Sequence, residues 1–176
     1  VARVETRGQV LAVAAHSASR RIAVAHQRVE VYRVDDLAGQ QARPCATHDC
    51  AAIAMAWWGD ELLATDGFRS VVRLSDGRTV DVWGGRVTAL ATAVPYIAIG
   101  YDDGAVRRLL WRRCAALPRC GVVLRKPSRF ATLAVVVSEE GVVAATRPRA
   151  VDVWHGTARV RRLCTTGRPT ALCMRH

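Results

Sequence analysis

Val87-Thr88-Ala89-Leu90-Ala91, then Ile97-Ala98-Ile99-Gly100-Tyr101-Asp102-Asp103-Gly104, then Ala105-Val106-Arg107 leading to Leu110-Trp111, is the stretch that decides the fold. The apolar runs are short, and the segments between them carry Pro95 and Asp102-Asp103-Gly104, residue types that break a strand and reverse the chain. Nothing in the stretch sustains a 3.6-residue period, so it reads as consecutive short strands.

The same grammar recurs in both directions. Leu11-Ala12-Val13-Ala14, Ile53-Ala54-Met55-Ala56, Ala131-Thr132-Leu133-Ala134 and Thr170-Ala171-Leu172-Cys173 repeat the small–large–small pattern around Leu90. Val13, Met55, Leu90, Leu133 and Leu172 are separated by 42, 35, 43 and 39 residues, a period near 40. About ten residues after each anchor comes a second apolar run: Ile22 to Ala25, Leu62 to Ala64, Ile97 to Gly100 and Val142 to Ala145. A third run alternates, as Val29-Glu30-Val31-Tyr32, Val71-Val72-Arg73-Leu74 and Val151-Asp152-Val153-Trp154, the pattern of a strand with one buried face. Val106 to Trp111 fills that slot in the third unit, with Arg107-Arg108 disturbing its register. Fourth strands are expected at Thr79 to Trp83, Gly121 to Leu124 and Ala158 to Leu163, and within Gln41 to Thr47 in the first unit.

The expectation is an all-β chain. A four-stranded unit cannot bury both faces alone, and radial repetition around an axis supplies the neighbours. With this period and strand order the chain resembles the WD40 repeat family of β-propellers. Unit three is the nearest match, with its hairpin Gly100-Tyr101-Asp102-Asp103-Gly104 and a third strand closing on Trp111. Unit four gives Val151-Asp152-Val153-Trp154 with His155 where the family often has Asp, and unit one gives Tyr32 in place of Trp. The Gly-His and Trp-Asp dipeptides of the family do not occur, so its Asp-His-Ser/Thr-Trp network is assigned to no residues here. The resemblance implies one WD40-like domain over 1–176, with four-stranded blades near 9–47, 50–84, 86–126 and 129–165 and the start of a further blade at 169–176. Ala2 to Thr6 read as a fourth strand and Thr170 to Met174 as a first strand. A partial or open ring follows, completed by a partner chain.

Composition agrees with a globular chain: 176 residues, 51% hydrophobic, 23% charged and only 6% aromatic. The longest uncharged stretch, Val87 to Tyr101, is interrupted by Pro95 and falls short of the roughly 20 residues of a membrane helix. Nothing reads as a signal peptide. Cys45, Cys50, Cys114, Cys120, Cys164 and Cys173 sit largely in apolar surroundings, as reduced thiols of an intracellular, cytoplasmic protein would.

Charge is unevenly spread. The chain carries 26 Lys and Arg against 15 Asp and Glu, a net +11. Residues 1–106 hold 11 arginines and 12 acids, whereas residues 107–176 hold 15 basic residues and 3 acids. Such asymmetry points to an acidic partner for the C-terminal part. Arg107, Arg108, Arg112, Arg113, Arg125, Arg159, Arg161 and Arg162 are the candidate contacts, because guanidinium forks bind carboxylate or phosphate in bidentate fashion. Trp57 and Trp58 are further candidates: alternation sends them to opposite faces, leaving one free to anchor a partner at a rim.

Cys45-x-x-His48-x-Cys50 lacks a second pair at zinc spacing and reads as a loop. His16, His26 and His155 read as surface or turn residues, and Asp102-Asp103-Gly104 as a β-turn. Phosphate loops, nucleophile elbows and H-E-x-x-H helices do not occur, so no enzyme, cofactor, metal or small-molecule substrate is expected. The resemblance implies a non-catalytic protein–protein interaction scaffold, a subunit of a larger complex whose partner is another subunit or a second copy. The alternative is a structural component of a nucleic-acid or ribonucleoprotein assembly, contacting phosphates through the basic C-terminal half.

Overall fold

Each short apolar run forms one strand and each Gly, Asp or Pro cluster between runs forms a turn, so consecutive strands pair antiparallel with their sequence neighbours. The computed structural model describes residues 8–38, 42–82, 84–111, 121–167 and 169–173. Sheet one contains β1 (Ala12–His16), β2 (Arg21–Ala25), β3 (Val29–Arg33) and β4 (Ala46–His48); sheet two contains β5 (Ala54–Trp58), β6 (Glu61–Thr65), β7 (Ser70–Arg73) and β8 (Thr79–Asp81). Sheet three contains β9 (Val87–Ala93), β10 (Tyr96–Tyr101), β11 (Val106–Leu110) and β12 (Val122–Arg125); sheet four contains β13 (Val135–Val137), β14 (Val143–Arg147), β15 (Ala150–His155) and β16 (Ala158–Cys164). The protein is all-β, four four-stranded antiparallel sheets in chain order. A 3-10 turn at Asp35–Ala38 follows β3. No helix among the described residues is long and apolar enough to cross a membrane.

The sheets stack in series through their first strands: β1 packs on β5, β5 on β9, and β9 on β13. Three apolar cores fill the spaces between them. Ala23, Ala25, Val29 and Val31 of sheet one meet Met55, Leu62 and Ala64 of sheet two. Leu63 and Val71 of sheet two meet Ile97, Ile99 and Leu109 of sheet three. Ala98 and Val106 of sheet three meet Val135, Val143 and Trp154 of sheet four. Sheets two and three are therefore covered on both faces. The second face of sheet one is partly covered by the 3-10 turn, where Val24 and Tyr32 bury against Leu37. Among the described residues no strand of another sheet packs extensively there or on the second face of sheet four.

Strand β10 shows why an unbroken apolar run is needed at an inner position. Ile97, Ile99 and Tyr101 point into the core shared with sheet two, and Ala98 points the other way towards sheet four. Sheet four approaches closely because its neighbours there are small. A Cβ built on Gly100 would lie 2.6 Å from Thr132 Cγ2.

Gly104 closes the β10–β11 hairpin with φ of +79°, and an added Cβ would sit 2.2 Å from the Phe130 carbonyl oxygen. Gly104→Ala is expected to lower stability by about 3 kcal/mol, left-handed strain plus overpacking. Gly59→Ala, at φ +55° with nothing within 4 Å, is expected to cost about 1 kcal/mol, the strain alone. Urea midpoints of the two variants measure the difference.

Some expectations need correction. The anchor Ala131 to Ala134 is not a strand, and sheet four begins only at Val135. Thr146 Oγ1 accepts hydrogen bonds from the Leu133 and Ala134 amides, and the Thr132 amide donates to the Tyr101 carbonyl, so backbone groups are satisfied outside a regular ladder. The fourth strand of sheet one runs Ala46–His48, one residue beyond the expected window. Residues 169–173 form no strand, while Ala2 to Thr6 and Trp83 lie outside the described residues. Arg107 and Arg108 do sit in β11, beside a register shift at Val106 and Arg107.

Candidate partner-binding surface

Strand alternation places Ala150, Asp152 and Trp154 of β15 on the face of sheet four that meets sheet three. Asp152 is only 1% exposed, and a buried carboxylate requires compensation. Four arginines supply it. Arg162 Nε donates to Asp152 Oδ1 at 2.7 Å and Arg147 Nη1 donates to Oδ2 at 3.2 Å. Arg125 Nη1 stands 3.7 Å from Oδ2, and Arg159 Nη1 stands 3.9 Å from Oδ1. Arg125 comes from sheet three, so the cluster bridges two sheets.

Arg125 is the buried base of this cluster. Its Nε donates to the Gly104 carbonyl at 2.7 Å, and its Nη2 donates to the Thr146 carbonyl at 3.0 Å and to the Thr132 hydroxyl. Its guanidinium also lies 6.0 Å from the Trp154 ring centroid. Burial pushes the Arg125 guanidinium below its usual range; Asp152 opposes that shift and Arg147 and Arg162 add to it. Arg162, hydrogen-bonded to Asp152, is held above its usual range. Arg147, Arg159 and Arg162 are 35%, 50% and 40% exposed, so the cluster opens to solvent on their side.

The other expected arginines are placed elsewhere. The Arg107 guanidinium lies 5.9 Å from the Tyr101 ring centroid, and Arg108 lies 5.0 Å from that of Tyr96 while donating to the Gly141 carbonyl. Both are half-buried against those rings; Arg108 also bonds the backbone, whereas Arg107 Nε is buried without a hydrogen-bond partner among the described residues. Arg161 pairs with Val153 in the β15–β16 ladder and so faces away from Asp152. Arg112 and Arg113 lie outside the described residues.

Trp57 and Trp58 do point to opposite faces, and both are half-buried between sheets. Trp57 packs on sheet one: its indole N–H donates to the Ala14 carbonyl at 3.1 Å, and its ring stacks on His16 at 5.2 Å with Arg21 4.9 Å from its centroid. Trp58 packs towards sheet three, 6.4 Å from Trp111. Neither stands free at a rim, because Trp57 packs into the space between sheets one and two and Trp58 into that between sheets two and three. Trp57 also lines a cleft of about 580 Å³ between sheets one and two, with Val31, Leu62 and Leu74 among its apolar walls and Arg21, Arg33 and His48 among its polar ones.

The chain matches no family model, and no curated protein matches it. Its chemistry must be read from its own side chains.

Cys45 and His48 also line that cleft, whereas Cys50 packs against the core between sheets one and two. Among the described residues no three His, Cys, Asp or Glu side chains converge as metal ligands. Cys45, Cys50 and Cys164 are free thiols; burial, then Asp49 and Asp66, push the Cys50 thiol up. Asp102 and Asp103 act as turn residues, accepting from the Arg86 and Ala105 amides at 2.8 and 2.9 Å. His26 corrects the expectation of a surface residue: it follows β2 but is 6% exposed, with Nε2 3.1 Å from Glu30 Oε2. Burial pushes the Glu30 carboxyl up, and the Tyr32 and Arg28 hydrogen bonds, with His26 close by, outweigh it and hold it below the usual range.

Asp152 itself was readable. It is the one acid after Glu140, in a segment with seven arginines. A lone acid at an alternating strand position among so many cations marks the point where they converge.

Proposed function

We propose that this chain is a non-catalytic protein–protein interaction scaffold of WD40-like repeats, a subunit of a larger assembly in which its blades form part of a propeller. The observation that carries the reading is the serial stacking of four meandering sheets through β1, β5, β9 and β13, with no further sheet among the described residues packed extensively on the outward faces of the first and last. The motifs quoted above add the family resemblance. On the open side, Val10, Leu11 and Val13 are 43%, 44% and 60% exposed, and Val160 and Leu163 of β16 are 59% and 42% exposed. Exposed apolar residues of this kind, near the edge strands β1 and β16, favour association.

The test is the mass of the purified chain in solution and with candidate subunits. The expected result is a species heavier than the monomer. Val13→Arg is expected to return it to the monomer with its thermal midpoint unchanged, since Val13 is already 60% exposed. A monomer that no subunit joins overturns the reading.

One observation favours a second reading, a structural part of a nucleic-acid assembly. All seven residues of β16 are exposed, and Arg159, Arg161 and Arg162 lie among them. RNA binding that falls steeply between two salt concentrations supports it, and no RNA binding even at low salt removes it.

A further inference from the structure

Among the described residues the charge balance around Asp152 does not close. Four guanidinium groups lie within 4 Å of one carboxylate, which leaves three positive charges uncompensated. The hydrogen bonds do not close either. Each guanidinium has five N–H donors. From the three exposed arginines Asp152 takes only Arg162 Nε and Arg147 Nη1, and among the described residues Arg159 reaches no acceptor at hydrogen-bond distance. Beneath them Arg125 Nη1 is buried and makes no hydrogen bond.

We propose that this cluster binds a phosphate monoester dianion carried on a side chain of a protein partner. The proposal rests on the scaffold reading. Asp152 serves as the internal strut that holds mutually repelling guanidiniums on one point, and the ligand occupies their open side. A second carboxylate leaves a surplus of two charges and offers two oxygens. A phosphate monoester brings a charge near −2 and three acceptor oxygens, which cuts the surplus to about one and meets more of the idle donors. A nucleic-acid backbone is the poorer fit, because it presents single charges along a track and gains from aromatic platforms. Here the cations are focused on one carboxylate, and the adjacent Trp154 is only 3% exposed.

Fluorescence anisotropy on the intact chain at 0.15 M salt tests this with five probes. Three are one labelled neutral peptide carrying phosphoserine, serine or glutamate at its centre, and two are one short single-stranded oligonucleotide with and without a 5′-phosphate. The expected result is that the phosphoserine peptide binds at least tenfold more tightly than the other two peptides. Arg159→Gln and Arg162→Gln each weaken it about fivefold or more, while Arg33→Gln, which removes an exposed charge from sheet one, changes it less than twofold. Circular dichroism confirms that each variant folds.

Equal binding of the glutamate peptide overturns the proposal, as does an equal loss on Arg33→Gln. Oligonucleotide binding tighter than the phosphopeptide and indifferent to the 5′-phosphate overturns it in favour of nucleic acid. No phosphopeptide binding overturns it too. The scaffold reading fails separately, in the mass measurement, which does not depend on phosphate.

Discussion

Asp152→Asn is expected to be among the most damaging single changes in this protein, lowering stability by about 3–5 kcal/mol, the range for breaking a buried ion pair from one side. The substitution preserves shape and removes one charge. Four guanidiniums then face each other across the joint between sheets three and four with nothing to hold them, and Arg125 is 11% exposed and cannot retreat into water. The measurement is chemical denaturation with a paired control. Asp152→Asn combined with Arg162→Gln is expected to recover part of the loss, because the second change removes one of the repelling cations. If Asp152→Asn is as stable as the parent, the carboxylate is not the strut described above.

The second large effect is at Trp154. Its side chain is 3% exposed and fills the core between sheets three and four with Val135, Val143 and Val106. Trp154→Ala leaves a cavity whose walls are β-branched residues fixed in strands, which collapse poorly, so a loss of about 3–5 kcal/mol is expected. Trp57→Ala should cost less, about 1–2 kcal/mol, since that ring is half-buried and borders an open cleft. A fluorescence-monitored urea titration of both variants, referenced to the parent, reads the ratio. Equal costs would show that the two joints do not differ in packing as described.

The strands were legible wherever side-chain alternation and turn residues acted together. β2, β6, β10 and β14 stand where their apolar runs predicted, because each must be dry on at least one face and each is bounded by a turn-forming cluster. The entry to sheet four was misplaced for a reason composition cannot reveal. The Thr146 hydroxyl accepts from the Leu133 and Ala134 amides and the Thr132 amide donates to the Tyr101 carbonyl of the neighbouring sheet, so an apolar run that looks like a strand is used as a strap.

The arginines were legible in number and not in role. Arg107 and Arg108 occupy strand positions in β11, and only cross-strand packing shows that they lie against Tyr101 and Tyr96 rather than reaching the Asp152 cluster. Arg125, Arg159 and Arg162 are 37 positions apart at most, and the antiparallel ladder brings them to one carboxylate. The Trp57-Trp58 pair was correctly split between faces, yet exposure depends on the neighbouring sheets, which the dipeptide does not report.

Strand β16 has a consequence for how the molecule behaves in a crowded solution. It is the last member of its sheet, hydrogen-bonded on one side to β15, and its outer backbone could template another chain. Three arginines on that strand make self-templating between copies electrostatically unfavourable. The same positive charge that would receive a negatively charged guest thereby discourages fibre growth, and neutralising it should raise the tendency of copies to aggregate.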